Sequence, residues 1–176
     1  MPFHASLAEL KLQRLQRLRE LKEELDRLES DEVNAGKQDW ADIARPEQLA
    51  PPGSWYVWLL LAGRGFGKTR SAAEWCAAKA RRYPGARIAL VATTIADARD
   101  TMIEGESGLL SCFKAEELRG RNEDSAWNRS MGELFLDNGS RFKTFSSEKP
   151  WRLRGPQWHF AWGDESAFWK DAYKGT

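Results

Sequence analysis

The sequence lacks the features of secreted and membrane-spanning proteins. Its 176 residues include only two cysteines, Cys76 and Cys112, which is too few for a disulfide framework, and no Cys/His spacing indicates zinc. The longest apolar run, Trp55–Ala62, is too short to cross a bilayer, and the first residues hold no signal-peptide hydrophobic region. Neither charge sign dominates, since 27 basic residues accompany 26 acidic ones. We therefore expect a protein of a reducing cytoplasm that is neither secreted nor a polycation.

The first 35 residues are expected to form an amphipathic helix and a linker. Seven leucines between residues 5 and 30 recur on one side of a helix, with Leu12 as the exception. Leu18, Leu21, Leu25 and Leu28 follow a heptad spacing over about two heptads. A polar stretch, residues 30–39, separates this segment from the rest of the chain. Two interpretations stay open, because the helix could pack on its own domain or could bind a partner chain.

Strands and helices are expected to alternate in residues 36–176, which predicts an α/β fold with a mostly parallel central sheet. Its helices are expected at Thr69–Tyr83 and Ile95–Ile103. Its buried strands are expected at Tyr56–Ala62, Ile88–Thr94 and Trp158–Gly163. A hairpin is expected where Asn138-Gly139 joins Glu133–Leu136 to Arg141–Phe145, as an antiparallel addition outside the central sheet.

A glycine-rich loop lies between the first expected strand and the first expected helix. Its residues are Gly63, Arg64, Gly65, Phe66 and Gly67, followed by Lys68 and Thr69. Backbone amides in such a loop can surround phosphate oxygens, a lysine can reach the β- and γ-phosphates, and a hydroxyl can bind Mg²⁺. The usual pattern has glycine where this chain has Ala62, but the strand before the loop and the helix after it favour a nucleotide site.

Two adjacent acids follow the last expected strand. Asp164 and Glu165 come directly after the apolar residues 158–163. Adjacent carboxylates at the end of a buried strand are costly unless a cation or ligand uses them. Together with the loop, they predict that Asp164 binds Mg²⁺ and that Glu165 orients and activates the attacking water in ATP hydrolysis.

Three blocks of sequence resemble the ATPase domain of tailed-phage and gene-transfer-agent terminase large subunits. They are LLLAGRGFGKTRSAAEW, YPGARIALVATTIADARDTMIEGESGLL and WRLRGPQWHFAWGDE, and the resemblance covers roughly residues 38–170. It implies a P-loop NTPase of the additional-strand type with a catalytic glutamate. It also implies that Arg64 lies near the phosphates, that Arg154, or Arg152 beside it, is an arginine finger, and that Gln48 contacts the adenine.

The same resemblance implies a role in packaging double-stranded DNA into a procapsid. The partners would be DNA, the portal and procapsid, the small terminase subunit and further copies of this chain in a ring, at the portal vertex in the host cytoplasm and without a membrane. The family's nuclease domain is not expected within residues 1–176, and an incomplete sheet makes ATPase activity of this chain alone doubtful. Two alternatives are a helicase-like DNA-dependent ATPase and a non-catalytic remnant that binds nucleotide or partners.

Overall fold

The computed structural model describes residues 7–34 and 39–169. The chain divides into two compact units, Met1–Lys37 and Gln38–Thr176. The first contains one helix, α1, at Leu7–Asn34, which confirms the helix that the leucine spacing predicts. No helix among the described residues has both the length and the apolar character needed to cross a membrane.

The second unit combines short helices with five strands. Its α-helices are α2 Trp40–Ile43, α3 Lys68–Arg82, α4 Ile95–Asp97, α5 Leu109–Cys112 and α6 Glu123–Ala126. A π-helix at Ala98–Ile103 continues α4. The 3₁₀ helices are Pro46–Gln48, Ala115–Glu117, Arg119–Arg121, Pro150–Leu153 and Ser166–Phe168. The strands are β1 Arg87–Ala92, β2 Trp127–Asn128, β3 Glu133–Phe135, β4 Arg141–Ser146 and β5 Phe160–Gly163.

The strands form one sheet in the order β2-β3-β4-β1-β5. β1 is parallel to both of its neighbours, β4 and β5, whereas β3 pairs antiparallel with β2 and β4. Parallel strands end at the same edge of a sheet. Accordingly, the amides of Ser147 and Asp164, just after β4 and β5, both donate 2.8 Å hydrogen bonds to carbonyls near the end of β1. The predicted α/β class is confirmed, and this edge gathers three loops.

Strand β1 is covered on both of its faces, as a near-continuous apolar strand requires. On one face Ile88 and Leu90 belong to a buried cluster that includes the apolar side of α3. On the other face Ala89 and Val91 pack with Phe145, and Trp158 and Trp169 lie against this second, smaller cluster. The edge that holds the end of β1 is therefore fixed from both sides of the sheet.

The hairpin predicted from Asn138-Gly139 is confirmed, but its expected place outside the central sheet is wrong. Gly139 has a φ of +82°, which glycine adopts without strain, and the Asn138 side chain donates to the Ala80 carbonyl at the end of α3. β4 pairs in parallel with β1 along its whole length. The turn signal specifies only the local pairing of β3 with β4, so it could not reveal the second neighbour of β4.

The strand predicted at Tyr56–Ala62 is also wrong. The sheet contains no strand from this segment, and Tyr56, Val57 and Leu61 are each at least 81% exposed. An apolar run favours burial, but a strand also needs a hydrogen-bonding neighbour. Both edges of β1 are already occupied by β4 and β5, and the outer edge of β5 does not pair with this segment. The apolar composition of residues 56–62 therefore predicted burial, but it could not indicate which strand they would pair with.

We expect the amides of residues 56–62 to exchange with solvent far faster than those of Arg87–Ala92. Amides without hydrogen-bond partners exchange at nearly the open-chain rate, whereas ladder amides need an opening reaction. Hydrogen exchange followed by mass spectrometry should show at least about 100-fold slower exchange for β1. Equal protection of the two segments would mean that residues 56–62 pair with a neighbour in solution.

Candidate functional site

The glycine-rich loop, Gly63–Gly67, leads directly into α3 through left-handed backbone. Gly65 has a φ of +79°, and Gly67, which caps the N-terminus of α3, has a φ of +90°. Residues with a side chain rarely adopt these angles, so glycine is needed at both positions. The two reversals let the loop turn tightly at the start of α3.

Lys68 folds back over this loop. Its Nζ donates hydrogen bonds to the carbonyl oxygens of Ala62, at 2.8 Å, and Gly63, at 3.1 Å. Both acceptors are neutral, so the loop holds the ammonium group without neutralising it. The structure thereby places a positive charge at the first residue of α3, where the amides at a helix start already favour anions.

The segment before the loop supports the loop backbone. The Phe66 carbonyl accepts hydrogen bonds from Arg45, at 2.7 Å, and from Gln48 Nε2, at 2.9 Å. The guanidinium of Arg45 also lies over the Phe66 ring, 5.2 Å from its centre, and Gln48 Oε1 accepts from the Arg45 amide. Gln48, expected to contact adenine, is buried and links the loop carbonyl of Phe66 to the backbone amide of Arg45.

Replacing Gly67 by alanine should destabilise this support. A Cβ at Gly67 would lie 2.6 Å from Gln48 Nε2, and the φ of +90° disfavours any side chain. We expect the free energy of unfolding to fall by about 1–3 kcal/mol, measured by urea denaturation.

Gly63→Ala is the matched control for this change. A Cβ at Gly63 meets no atom within 4 Å, so this variant should stay within about 0.5 kcal/mol of the original protein. Equal losses in the two alanine variants would contradict the role assigned to Gly67 and Gln48.

The two predicted acids follow β5 at the edge where β1 ends. Burial raises the pKa of the Asp164 carboxyl above its ordinary value, and the charge of Glu165 raises it further. The positive charge of Lys68 acts in the opposite direction and lowers the pKa of Asp164. No ion pair joins Lys68 to Asp164 among the described residues, so the charge of the loop lysine acts on this acid without a direct contact.

Glu165 has a strained backbone. Its φ of +48° and ψ of +45° are in the left-handed region, which is unusual for a residue with a long side chain. Strain of this kind costs on the order of 1–3 kcal/mol and is concentrated at functional sites. Trp169 follows closely, because its Nε1 donates to the Asp164 carbonyl at 3.0 Å. The strained residue therefore lies inside a turn that Trp169 closes.

Asp97 and Arg45 are members of the site that the sequence prediction missed. Asp97 lies in α4, shortly after β1 ends, and its charge raises the pKa of Asp164. Asp97 also accepts from the amide and hydroxyl of Thr94, in a capping box at the start of α4. The pattern Thr-x-x-Asp after a buried strand was a usable signal for Asp97, whereas nothing in the sequence pointed to Arg45.

The remaining predicted residues are less constrained. Thr69 lies in the first turn of α3, half-buried, and its hydroxyl makes no hydrogen bond within the described part of the chain. Arg64 and Arg154 are exposed, and among residues 39–169 their side chains make no hydrogen bond or ion pair. Arg152 lines a cavity of about 160 Å³ with Glu148 and Lys149. The structure does not join these arginines to Lys68 or Asp164.

The fold and this edge define an α/β protein whose candidate site combines a glycine-rich loop, a lysine at a helix start and acids at the end of a strand. A family model described as "Terminase large subunit, T4likevirus-type, N-terminal" matches residues 59–174, about two thirds of the chain. The chain therefore belongs to this terminase family, which indicates a role in phage DNA packaging. Comparison with curated proteins and with solved structures gives no match.

Proposed function

We propose that this chain is the ATP-hydrolysing part of a phage DNA-packaging motor. The observation that carries the proposal is the Lys68 ammonium group at the start of α3, which the glycine-rich loop holds on two neutral carbonyl oxygens. A cation at a helix start and an acid at the neighbouring strand end are the two charges that a nucleotide and its metal require. Membership of the terminase family supports the same function.

Lys68 and the loop would hold the phosphates of ATP. The ammonium group now lies on two neutral carbonyls, and an anionic phosphate oxygen is a stronger acceptor than either. The amides of Gly63, Gly65 and Gly67 and the start of α3 add donors around the same position. The hydrogen bonds from Arg45 and Gln48 to Phe66 would keep the loop in shape for this contact.

The residues present fit a magnesium ion. Thr69 offers a hydroxyl oxygen, and Asp164 offers a carboxylate whose raised pKa reflects burial and the adjacent charge of Glu165. Oxygen ligands, few of them from the protein, are what Mg²⁺ prefers at phosphate sites, where water and phosphate complete its shell. Thr69 and Asp164 would hold the ion, and bound Mg²⁺ supplies positive charge to the phosphates.

Glu165 would accept the proton of the attacking water. It is exposed and follows Asp164 directly, so its carboxylate can lie beside a metal-binding acid without replacing it. Its strained backbone fits a position selected for the direction of its side chain rather than for stability. Asp97 would add negative charge near Asp164 and so favour the cation there.

Arginines would neutralise the charge that develops on the phosphates. Arg64 lies in the loop, and Arg154 follows the 3₁₀ helix Pro150–Leu153. Both are exposed and make no ion pair among the described residues, so each can contact a ligand or a neighbouring copy. Arg154 is the proposed arginine finger, with Arg152 as the alternative. Gln48 is proposed to affect nucleotide binding by holding the loop through its hydrogen bond to the Phe66 carbonyl.

In this proposal the motor translocates double-stranded DNA into a procapsid. Hydrolysis would take place in a ring of copies of this chain at the portal, in the host cytoplasm and with the small terminase subunit as a further partner. The proposed nucleotide site lies within one chain, so nucleotide binding can be tested without the other components of the packaging motor.

ATP with Mg²⁺ should raise the thermal stability of the protein, whereas adenosine should not. A ligand that binds the folded state stabilises it by about 2.7 kcal/mol at 100 times its Kd. Adenosine is the control because the proposal places the binding energy in the phosphates. Differential scanning calorimetry with ATP, with ATP plus a chelator, and with adenosine measures this. An equal response to ATP and adenosine, or to neither, would contradict the proposal.

A further inference from the structure

Helix α1 presents a stripe of leucines to solvent. Leu15, Leu18, Leu21 and Leu25 are each between 46% and 56% exposed. Leu18, Leu21, Leu25 and Leu28 alternate in steps of three and four, which is the spacing of a helix seam that packs against another helix. The stripe is an unusually apolar surface for a helix in which charged residues fill most of the other positions.

The charges of α1 are divided between its two halves. Residues 7–19 contain Lys11, Arg14, Arg17 and Arg19, with Glu9 as the acidic residue. Residues 20–34 contain two basic residues, Lys22 and Arg27, among a larger set of acids. These acids are Glu20, Glu23, Glu24, Asp26, Glu29, Asp31 and Glu32.

This division does not serve the isolated helix. The carbonyl end of a helix carries partial negative charge and is stabilised by basic residues, but the last turn of α1 contains Asp31 and Glu32 and no basic residue. Among the described side chains of α1, one ion pair forms within the helix, between Arg17 and Glu20 at 3.1 Å. Pairing within the helix therefore uses few of the charges whose side chains are described.

A second copy of the same helix satisfies both features in one orientation. If two copies lay parallel, basic half would face basic half and acidic half would face acidic half, which is unfavourable. If they lie antiparallel, the basic half of each faces the acidic half of the other, and the leucine stripes still meet between them. Such a contact is isologous, so a single self-complementary surface is enough.

We propose that two copies of this chain associate through α1 as an antiparallel helix pair. The leucine stripes form the buried seam, and the basic first half of each helix pairs with the acidic second half of its partner. A two-fold contact closes on itself, so it joins two chains and does not extend into a ring. The proposal uses residues of the first unit alone and does not depend on the nucleotide site.

Sedimentation velocity of the full chain tests the association. Leu18→Lys/Leu25→Lys should shift the protein from dimer to monomer and weaken the dimer Kd at least about 100-fold, because two charges enter each apolar seam. The matched control is Gln13→Lys/Gln16→Lys, which adds the same charge to the opposite face and should leave the dimer within about threefold. Raising the salt from 0.05 M to 0.5 M should also weaken the unsubstituted dimer several-fold.

Crosslinking tests the orientation. Residues 17 and 31 flank the leucine seam and are separated by about 21 Å along a helix, so a short bifunctional maleimide can join only residues that the dimer brings together. Arg17→Cys mixed with Asp31→Cys should crosslink, whereas each variant alone should not. Cys76 and Cys112 are buried, and burial raises the pKa of both thiols, that of Cys112 to about 12, so they should react slowly.

Several results would overturn the proposal. Crosslinking of each single-cysteine variant with itself would show a parallel pair. A monomer at every concentration, with lower thermal stability in the Leu→Lys variant, would place the stripe on the chain's own second unit. Association that both lysine variants leave unchanged would mean that another surface, such as the exposed segment 56–61, joins the chains.

Discussion

Lys68→Ala should abolish ATP hydrolysis and greatly weaken ATP binding. The Lys68 ammonium is held by the neutral carbonyls of Ala62 and Gly63, and the proposed phosphate would be its first strong anionic partner. Losing a charge-assisted hydrogen bond costs about 2–3 kcal/mol, equivalent to roughly 30- to 150-fold in Kd. Losing charge stabilisation in the transition state should lower the rate by about 10²- to 10³-fold.

Isothermal titration calorimetry and a phosphate-release assay on the assembled motor measure the two effects. Lys79→Ala is the matched control, because Lys79 is also on α3 and its Nζ lies over the rings of Trp75 and Phe160, at 5.6 Å and 5.5 Å from their centres. The Lys79→Ala variant loses one positive charge from α3, as Lys68→Ala does, but it leaves the contacts of the glycine-rich loop unchanged. Normal binding and turnover by Lys68→Ala would refute the nucleotide site.

Glu165→Gln should leave ATP binding intact and slow hydrolysis by about 10²- to 10⁴-fold, the usual contribution of a general base. The amide keeps the shape of the side chain but cannot accept the proton of water. Asp164→Asn should differ, because it should also raise the Mg²⁺ concentration needed for ATP binding. A lower hydrolysis rate alone would therefore identify the role of Glu165, and a higher Mg²⁺ requirement would identify that of Asp164.

Single-turnover hydrolysis and Mg²⁺ titrations of ATP binding measure these two effects in the assembled motor. Glu106→Gln is the control, since Glu106 is exposed and lines a cavity with Leu110 and Trp127, outside the candidate site. Turnover by Glu165→Gln at the normal rate would show that another group activates water. Asp97 would then be the next carboxylate to replace.

The sequence predicted the parts of this protein that depend on local signals. Leucine spacing indicated α1, an apolar run next to glycine and proline indicated β1, and Asn138-Gly139 indicated the hairpin. The loop and the two acids were predicted because glycines, a lysine and adjacent carboxylates have few other reasons to follow apolar runs. In the structure the charge of Lys68 lowers the pKa of Asp164, whereas burial and Glu165 raise it.

Features that depend on which neighbour is present were not predictable in this way. The run 56–62 has the composition of a strand and no neighbour among the described strands, whereas β4 has a second neighbour that its turn could not reveal. Arg45 reaches Phe66 across 21 positions of the chain, and its own surroundings in the sequence contain no trace of that contact. Long-range partners of this kind are a property of the folded chain.

The backbone at Ala62 has a consequence for how freely this loop can vary in evolution. The atom of residue 62 that Lys68 contacts is its carbonyl oxygen, which all residues possess, and Ala62 is not among the described residues with positive φ. Gly65 and Gly67, in contrast, hold angles that a side chain would oppose. Natural selection should therefore tolerate many amino acids at position 62 and few at 65 and 67, so the first glycine of the usual pattern can drift while the loop keeps its shape.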